Sequence, residues 1–157
     1  MSTDIPIYQV DAFAERLFAG NPAAVCPLTE WLPEATMQAI AAENNLAETA
    51  FVVAEAGGLR IRWFTPTTEV RLCGHATLAA AWVWLHRCLE GPLPDSLTFH
   101  SLSGPLEVAR EADGGLTMDF PREPVEPIAA PDALKQGLGV EIQEVAAGPD
   151  WLVRAAD

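Results

Sequence analysis

The segment from His75 to Leu89 constrains the fold more than any other part of the chain. Leu78, Trp82, Val83, Trp84, Leu85, Cys88 and Leu89, interleaved with four alanines, leave almost no polar face. A helix that is apolar all round must be enclosed by other elements. It is too short to cross a bilayer, which takes about 20 apolar residues, and Gly91-Pro92 stops it. The rest of the chain therefore has to supply a wrapping.

That wrapping reads as strands. Ile5 to Val10 alternates apolar and polar residues, and Ala23 to Cys26 follows the turn signal Gly20-Asn21-Pro22. Pro33 opens a helix with Met37, Ile40 and Ala41 at helical spacing. Thr49 to Ala54 and Leu59 to Phe64 flank Gly57-Gly58 as a hairpin. Leu97 to Leu102, Leu106 to Arg110 and Leu116 to Phe120 follow the enclosed helix, with a second hairpin turn at Asp113-Gly114-Gly115. Many short strands and one helix apolar all round predict an α+β lobe, a mixed sheet curled about a central helix.

Beyond Pro121, the residues Glu123, Pro124, Glu126 and Pro127 read as a connector, then a short helix from Pro131 to Leu138 and strands at Ile142 to Ala146 and Trp151 to Val153. The expected organisation is a first lobe over residues 1–122, then a connector and the incomplete start of a second lobe over 123–157. Two strands and a short helix cannot bury a core of their own.

A hydrophobic content of 50% is enough for a packed core. The net charge of −13, from 22 acidic against 9 basic residues, would repel nucleic acid and an anionic membrane surface. Cys26, Cys73 and Cys88 show neither a disulfide pattern nor metal-ligand spacing. With no signal-peptide pattern in Met-Ser-Thr-Asp-Ile-Pro, the expectation is a reduced, cytoplasmic protein without metal.

The turn Cys73-Gly74-His75 joins a strand to the enclosed helix, whose free first-turn amides offer partial positive charge to a carboxylate. Taken singly, each neighbouring residue also has an ordinary explanation: Cys73 as a small core residue, His75 as a helix-start residue, Glu48 as a solvated strand end, Asn21 as a turn former. Asp11, His86 and His100 show no clustering and read as surface or capping residues.

Three segments taken together narrow the choice. Gln9-Val10-Asp11-Ala12-Phe13 with Gly20-Asn21-Pro22-Ala23-Ala24-Val25, then Asn45-Leu46-Ala47-Glu48-Thr49-Ala50-Phe51-Val52, then Phe64-Thr65-Pro66 through Glu69-Val70 to Cys73-Gly74-His75-Ala76-Thr77, stand in one order and spacing. In this they resemble the PhzF-like phenazine biosynthesis isomerase/epimerase family of the diaminopimelate epimerase-like superfamily. The resemblance covers residues 5 to about 120 well and the remainder weakly.

It implies two similar lobes, each a sheet around a central helix, with a cleft between them and no metal or organic cofactor. The reaction it implies is proton movement between carbons of a small carboxylate substrate such as a dihydro-hydroxyanthranilate. Glu48 corresponds to the acid/base, His75 assists at the substrate, and Gly74, Asn21 and Cys73 fall among the substrate-binding positions. Cys73 also stands where related racemases and epimerases carry a catalytic cysteine, so a racemase using Cys73 is the enzymatic alternative. The resemblance puts a catalytic aspartate in the second lobe, which no segment here matches, so the chain alone is expected to be inactive. A truncated, non-catalytic lobe that buries its open face as a homodimer or by other self-association is the third expectation.

Overall fold

A computed structural model describes residues 4–156. The reading of Met1 to Thr3 lies outside them. The chain forms two compact units, Met1–Asp119 and Phe120–Asp157.

In the first unit, β1 (Tyr8–Ala12) pairs antiparallel with β2 (Asn21–Leu28). Helix α1 (Glu34–Asn44) then carries the chain over to β3 (Glu48–Glu55), which lies parallel to β2 with Ala23 opposite Glu48. Parallel neighbours need such a crossover. A tight hairpin, its register ending on Glu55 opposite Gly58, leads into β4 (Gly58–Phe64), and β5 (Glu69–Val70) folds back on β4. Helix α2 (Gly74–Val83), extended by a π-helical turn at Trp84–Cys88, crosses to β6 (Ser96–Ser101), parallel to β4. The strands β7 (Gly104–Arg110) and β8 (Leu116–Met118) complete the order β1-β2-β3-β4-β6-β7-β8. Within this unit the sequence missed only β5, which is too short to show an alternation.

Strand β3 is buried on both faces, so its sequence is a continuous apolar run instead of an alternating one. Ala50 and Val52 point towards α2, together with Ala23, Val25, Ile61 and Trp63. Phe51 and Val53 point the other way, against Met37 and Ala41 of α1. Helix α2 touches β1, β2 and β3 and also β8 at the far end of the strand order. Seven strands laid flat at about 4.8 Å spacing would spread over about 29 Å, against a helix only about 10–12 Å across. Contact with both ends of that order requires the sheet to curl around the helix, as the sequence predicts.

Enclosure is not uniform along the helix. Ala76, Thr77, Ala79, Ala80, Ala81, Val83 and Leu85 are buried, but Trp82 is 37% exposed and His86, Arg87 and Cys88 face outward. This corrects the expectation of a helix buried on nearly all sides from His75 to Leu89. The indole of Trp82 stacks on His86 at 4.5 Å between ring centres, and the Arg87 guanidinium lies over it at 5.5 Å. Those two polar residues make the outer side of the last turns a polar-aromatic face. The helix also ends one residue early, because Leu89 is extended (φ −94°, ψ 140°).

The second unit contains β9 (Glu126–Ile128), α3 (Asp132–Leu138), β10 (Ile142–Ala147) and β11 (Trp151–Ala155), in a sheet ordered β11-β10-β9. The supposed connector thus contains a strand, its Pro127 tolerated because β9 is an edge. Val145, paired with both Ile128 and Val153, is buried, whereas Trp151 and Leu152 are exposed.

The alanines of α2 let the sheet close on it, so enlarging one should be costly. Ala80→Leu is expected to lower stability by about 1–3 kcal/mol in urea denaturation; an unchanged midpoint would mean that the helix is not closely wrapped.

Candidate active site

The alternation that buries β3 also aims its first residue. Glu48 shares the face of Ala50 and Val52, so its carboxylate points towards the start of α2. The chain enters α2 through Cys73, whose backbone is extended (φ −149°, ψ 117°), and Thr77 Oγ1 donates to the Cys73 carbonyl at 2.6 Å. This local bond holds the turn against the helix. Upstream, Thr65 closes its own turn by accepting from the Thr68 N–H at 3.0 Å. Arg62 grips both carboxylate oxygens of Glu69 at 2.7 and 2.6 Å, which anchors the short strand leading into Cys73.

Four of the residues singled out in the sequence meet here. His75 Nε2 lies 3.2 Å from Glu48 Oε2, and His75 Nδ1 lies 3.5 Å from Cys73 Sγ. Gly74, the first residue of α2, sits between the two helix-start side chains. The approach of Glu48 to His75 has the length of an ion pair but not the angle of a hydrogen bond, so Glu48 Oε2 and His75 Nε2 are both buried without a hydrogen-bond partner. Asn21 is exposed and makes no side-chain hydrogen bond among the described residues. It begins β2 two residues before Ala23, the register partner of Glu48, and so occupies the same end and face of the sheet.

Burial pushes the Cys73 thiol up to about 12; the backbone N–H of Ala76 opposes the shift and the Glu48 carboxylate adds to it. The Cys73 thiol has two acceptors within reach, His75 Nδ1 and the Glu48 carboxylate, and when it donates to Nδ1 a neutral ring carries its proton on Nε2, facing Glu48. The result is a row of thiol, imidazole and carboxylate at the N-terminus of an enclosed helix. Chemically it can accept a proton at Glu48, supply a donor from His75 and hold an anion at the free amides of α2.

Two contributors escaped the sequence. Thr77 was visible in principle, since a threonine four residues after a helix cap can bond back to its carbonyl. Trp63 was not. It pairs with Ala50, next along the same face from Glu48, and its Nε1–H is a third buried group without a partner. A concavity of about 440 Å³ lies elsewhere, by the β3–β4 hairpin and Trp84, with Glu90 as its only titratable lining residue. The length of β3, about 23 Å, separates that end from Glu48; with a lone carboxylate and no partner for it, the concavity has less chemistry to offer than the Glu48 end.

Comparison with known proteins identifies the family of the chain. The family profile of phenazine biosynthesis-like proteins, PhzC-PhzF, matches residues 10–143. The chain is 54% identical over 154 residues to an uncharacterized isomerase of Pseudomonas aeruginosa, covering 98% of this chain and 58% of that protein. It is 42% identical over 168 residues to the human phenazine biosynthesis-like domain-containing protein, covering 98% and 57%. A crystal structure of a PhzF family protein from Enterococcus faecalis superposes with a TM-score of 0.85 at 46% identity, over 98% of this chain and 58% of that one. The chain thus spans less than two thirds of the length of these relatives. A hydroxyproline epimerase from Agrobacterium vitis, at 10% identity and a TM-score of 0.57, shares the fold alone.

The thiols offer a direct check on the local environment. Alkylation at pH 8 with peptide mass mapping should modify exposed Cys88 first and spare Cys26 and Cys73, both pushed up to about 12 by burial. Because these folded-state values lie above the ordinary 9.0, the stability tied to the buried thiols is complete below about pH 9 and is lost as pH rises towards 12. Thr77→Val should cost about 1–2 kcal/mol through the lost bond to Cys73, and equal denaturation midpoints would contradict that role.

Over residues 10–143, in sequence and in fold, the chain belongs to the PhzC-PhzF family of phenazine biosynthesis-like proteins.

Proposed function

We propose that this chain is the acid/base lobe of a cofactor-independent isomerase that moves a proton between carbons of a small carboxylate substrate. The observation that carries the reading is the pair of buried, unpartnered atoms Glu48 Oε2 and His75 Nε2, 3.2 Å apart at the head of α2. Buried polar groups are nearly always satisfied, and exceptions concentrate where a reacting group is to be received. The free amides at Gly74 and His75 suit the substrate carboxylate, and Asn21 and Trp63 Nε1–H stand on the same face as further polar contacts.

In the proposed step the Glu48 carboxylate takes the proton of a C–H bond, and the released electron pair moves into the conjugated system of the substrate. The N–H of His75 and the helix amides stabilise the charge that develops. Glu48, now neutral, returns the proton to a different carbon. General acid/base action of this kind supplies roughly 10²- to 10⁴-fold in rate, about 3–5 kcal/mol; the remainder falls to donors and exclusion of water.

The racemase alternative needs Cys73 as a thiolate. Its position 3.5 Å from His75 Nδ1 favours that role, but a thiol held up to about 12 is a poor base at neutral pH. Glu48 is the better assignment. A homodimer and a cytoplasmic setting fit this reading and belong to the same proposal.

In a two-lobe protein that carries these residues, Glu48→Gln is expected to lower turnover of a dihydro-hydroxyanthranilate by about 10² or more with an unchanged circular dichroism spectrum. Cys73→Ser should retain most of the activity. The reverse ranking of the two variants would move the chemistry to the thiol.

A further inference from the structure

Glu48 and His75, which the proposed proton transfer uses, form a metal-ligand set together with Cys73, which it does not use. One ligand atom from each of Glu48, Cys73 and His75 lies within 4.8 Å of the other two. Cys73 Sγ and His75 Nδ1 stand 3.5 Å apart. Sulfur and nitrogen bound tetrahedrally to one zinc ion, at about 2.3 and 2.0–2.1 Å, are also about 3.5 Å from each other, so one edge of the coordination shell is already in place. Glu48 stands 3.2 Å from the other ring nitrogen, Nε2, and closes the set by turning its carboxylate towards the Sγ–Nδ1 edge. A carboxylate oxygen, an imidazole nitrogen and a sulfur suit zinc; magnesium and calcium require oxygen ligands throughout. Sequence spacing did not reveal the set, because Glu48 is brought to Cys73 and His75 only by the folding of three intervening strands.

We propose that Glu48, Cys73 and His75 bind one zinc ion with the fourth position open, and that the ion and an organic substrate exclude each other. On coordination the S–H bond of Cys73 breaks, a sulfur–zinc bond forms, and the proton leaves to solvent; nothing is oxidised or reduced. His75 contributes its Nδ1 lone pair and keeps its proton on Nε2. Thiolate and carboxylate together balance the two charges of the ion. Zinc is not a cofactor here: it occupies the carboxylate and the ring that the isomerase reading needs free, so it acts as a reversible inhibitor.

Titration of the 157-residue chain with Co²⁺ as a spectroscopic probe tests the site. One equivalent should produce a thiolate-to-cobalt charge-transfer band and the intense visible bands of a four-coordinate ion, both displaced by Zn²⁺. Cys73→Ser should abolish the charge-transfer band, while Cys26→Ser and Cys88→Ser leave it intact. Glu48→Gln, close in size, should weaken binding by at least about tenfold, since loss of even a supporting group costs about 10- to 100-fold. Circular dichroism checks that each variant is folded. A charge-transfer band absent from the parent chain, persisting in Cys73→Ser, or lost only in Cys88→Ser would overturn the site. The readout is metal binding and not turnover, so its failure leaves the isomerase reading standing, and failure of that reading leaves this one.

Discussion

Burial of one short helix is the constraint on which the first unit depends. Helix α2 has too little polar surface to lie on the outside, and its alanines let strands approach closely. Enclosing it takes a sheet that reaches the helix from both ends of its strand order, and a sheet that does so must curl. The β4–α2–β6 crossover places the helix on the inner face, while the β2–α1–β3 crossover covers the outer face with Met37 and Ala41. Strand β3 lies between the two layers and is apolar on both sides.

The site follows from this packing without further devices. An enclosed helix still has to begin somewhere, and its first-turn amides cannot all be satisfied from within. The sheet face that buries Ala50 and Val52 carries Glu48 to that same end, one step beyond the apolar run. A carboxylate, a ring nitrogen and an indole N–H are thereby withdrawn from solvent without mutual hydrogen bonds, which is unfavourable for folding and useful for a reacting group. The fold positions chemistry where its packing periodicity runs out.

Much of this was legible in the chain. The helix stood out by composition, the strands by alternation between Gly and Pro signals, and the meeting of Glu48, Gly74 and His75 through motif resemblance. Spacing alone could not join Glu48 to His75, because their proximity depends on which face of β3 turns inward. The exposed outer side of the last helical turns was misjudged because tryptophan was counted as apolar, although its ring here stacks on His86 beneath Arg87. Strand β9 was hidden by its Pro127 and the preceding Pro124, which read as a connector until its edge position is known. The buried Trp63 N–H carries no sequence signal at all.

If a single carboxylate both takes and returns the proton, the hydrogen it removes should reach the product before water replaces it. The direct measurement is isotope transfer in a two-lobe protein that carries these residues: substrate deuterated at the reacting carbon, turned over in ordinary water, with the product analysed by mass and by position of label. The account predicts that a substantial fraction of product molecules carry deuterium at the new carbon, and that the fraction survives in Cys73→Ser. Complete loss of label to solvent, at a rate indifferent to Glu48→Gln, would contradict it.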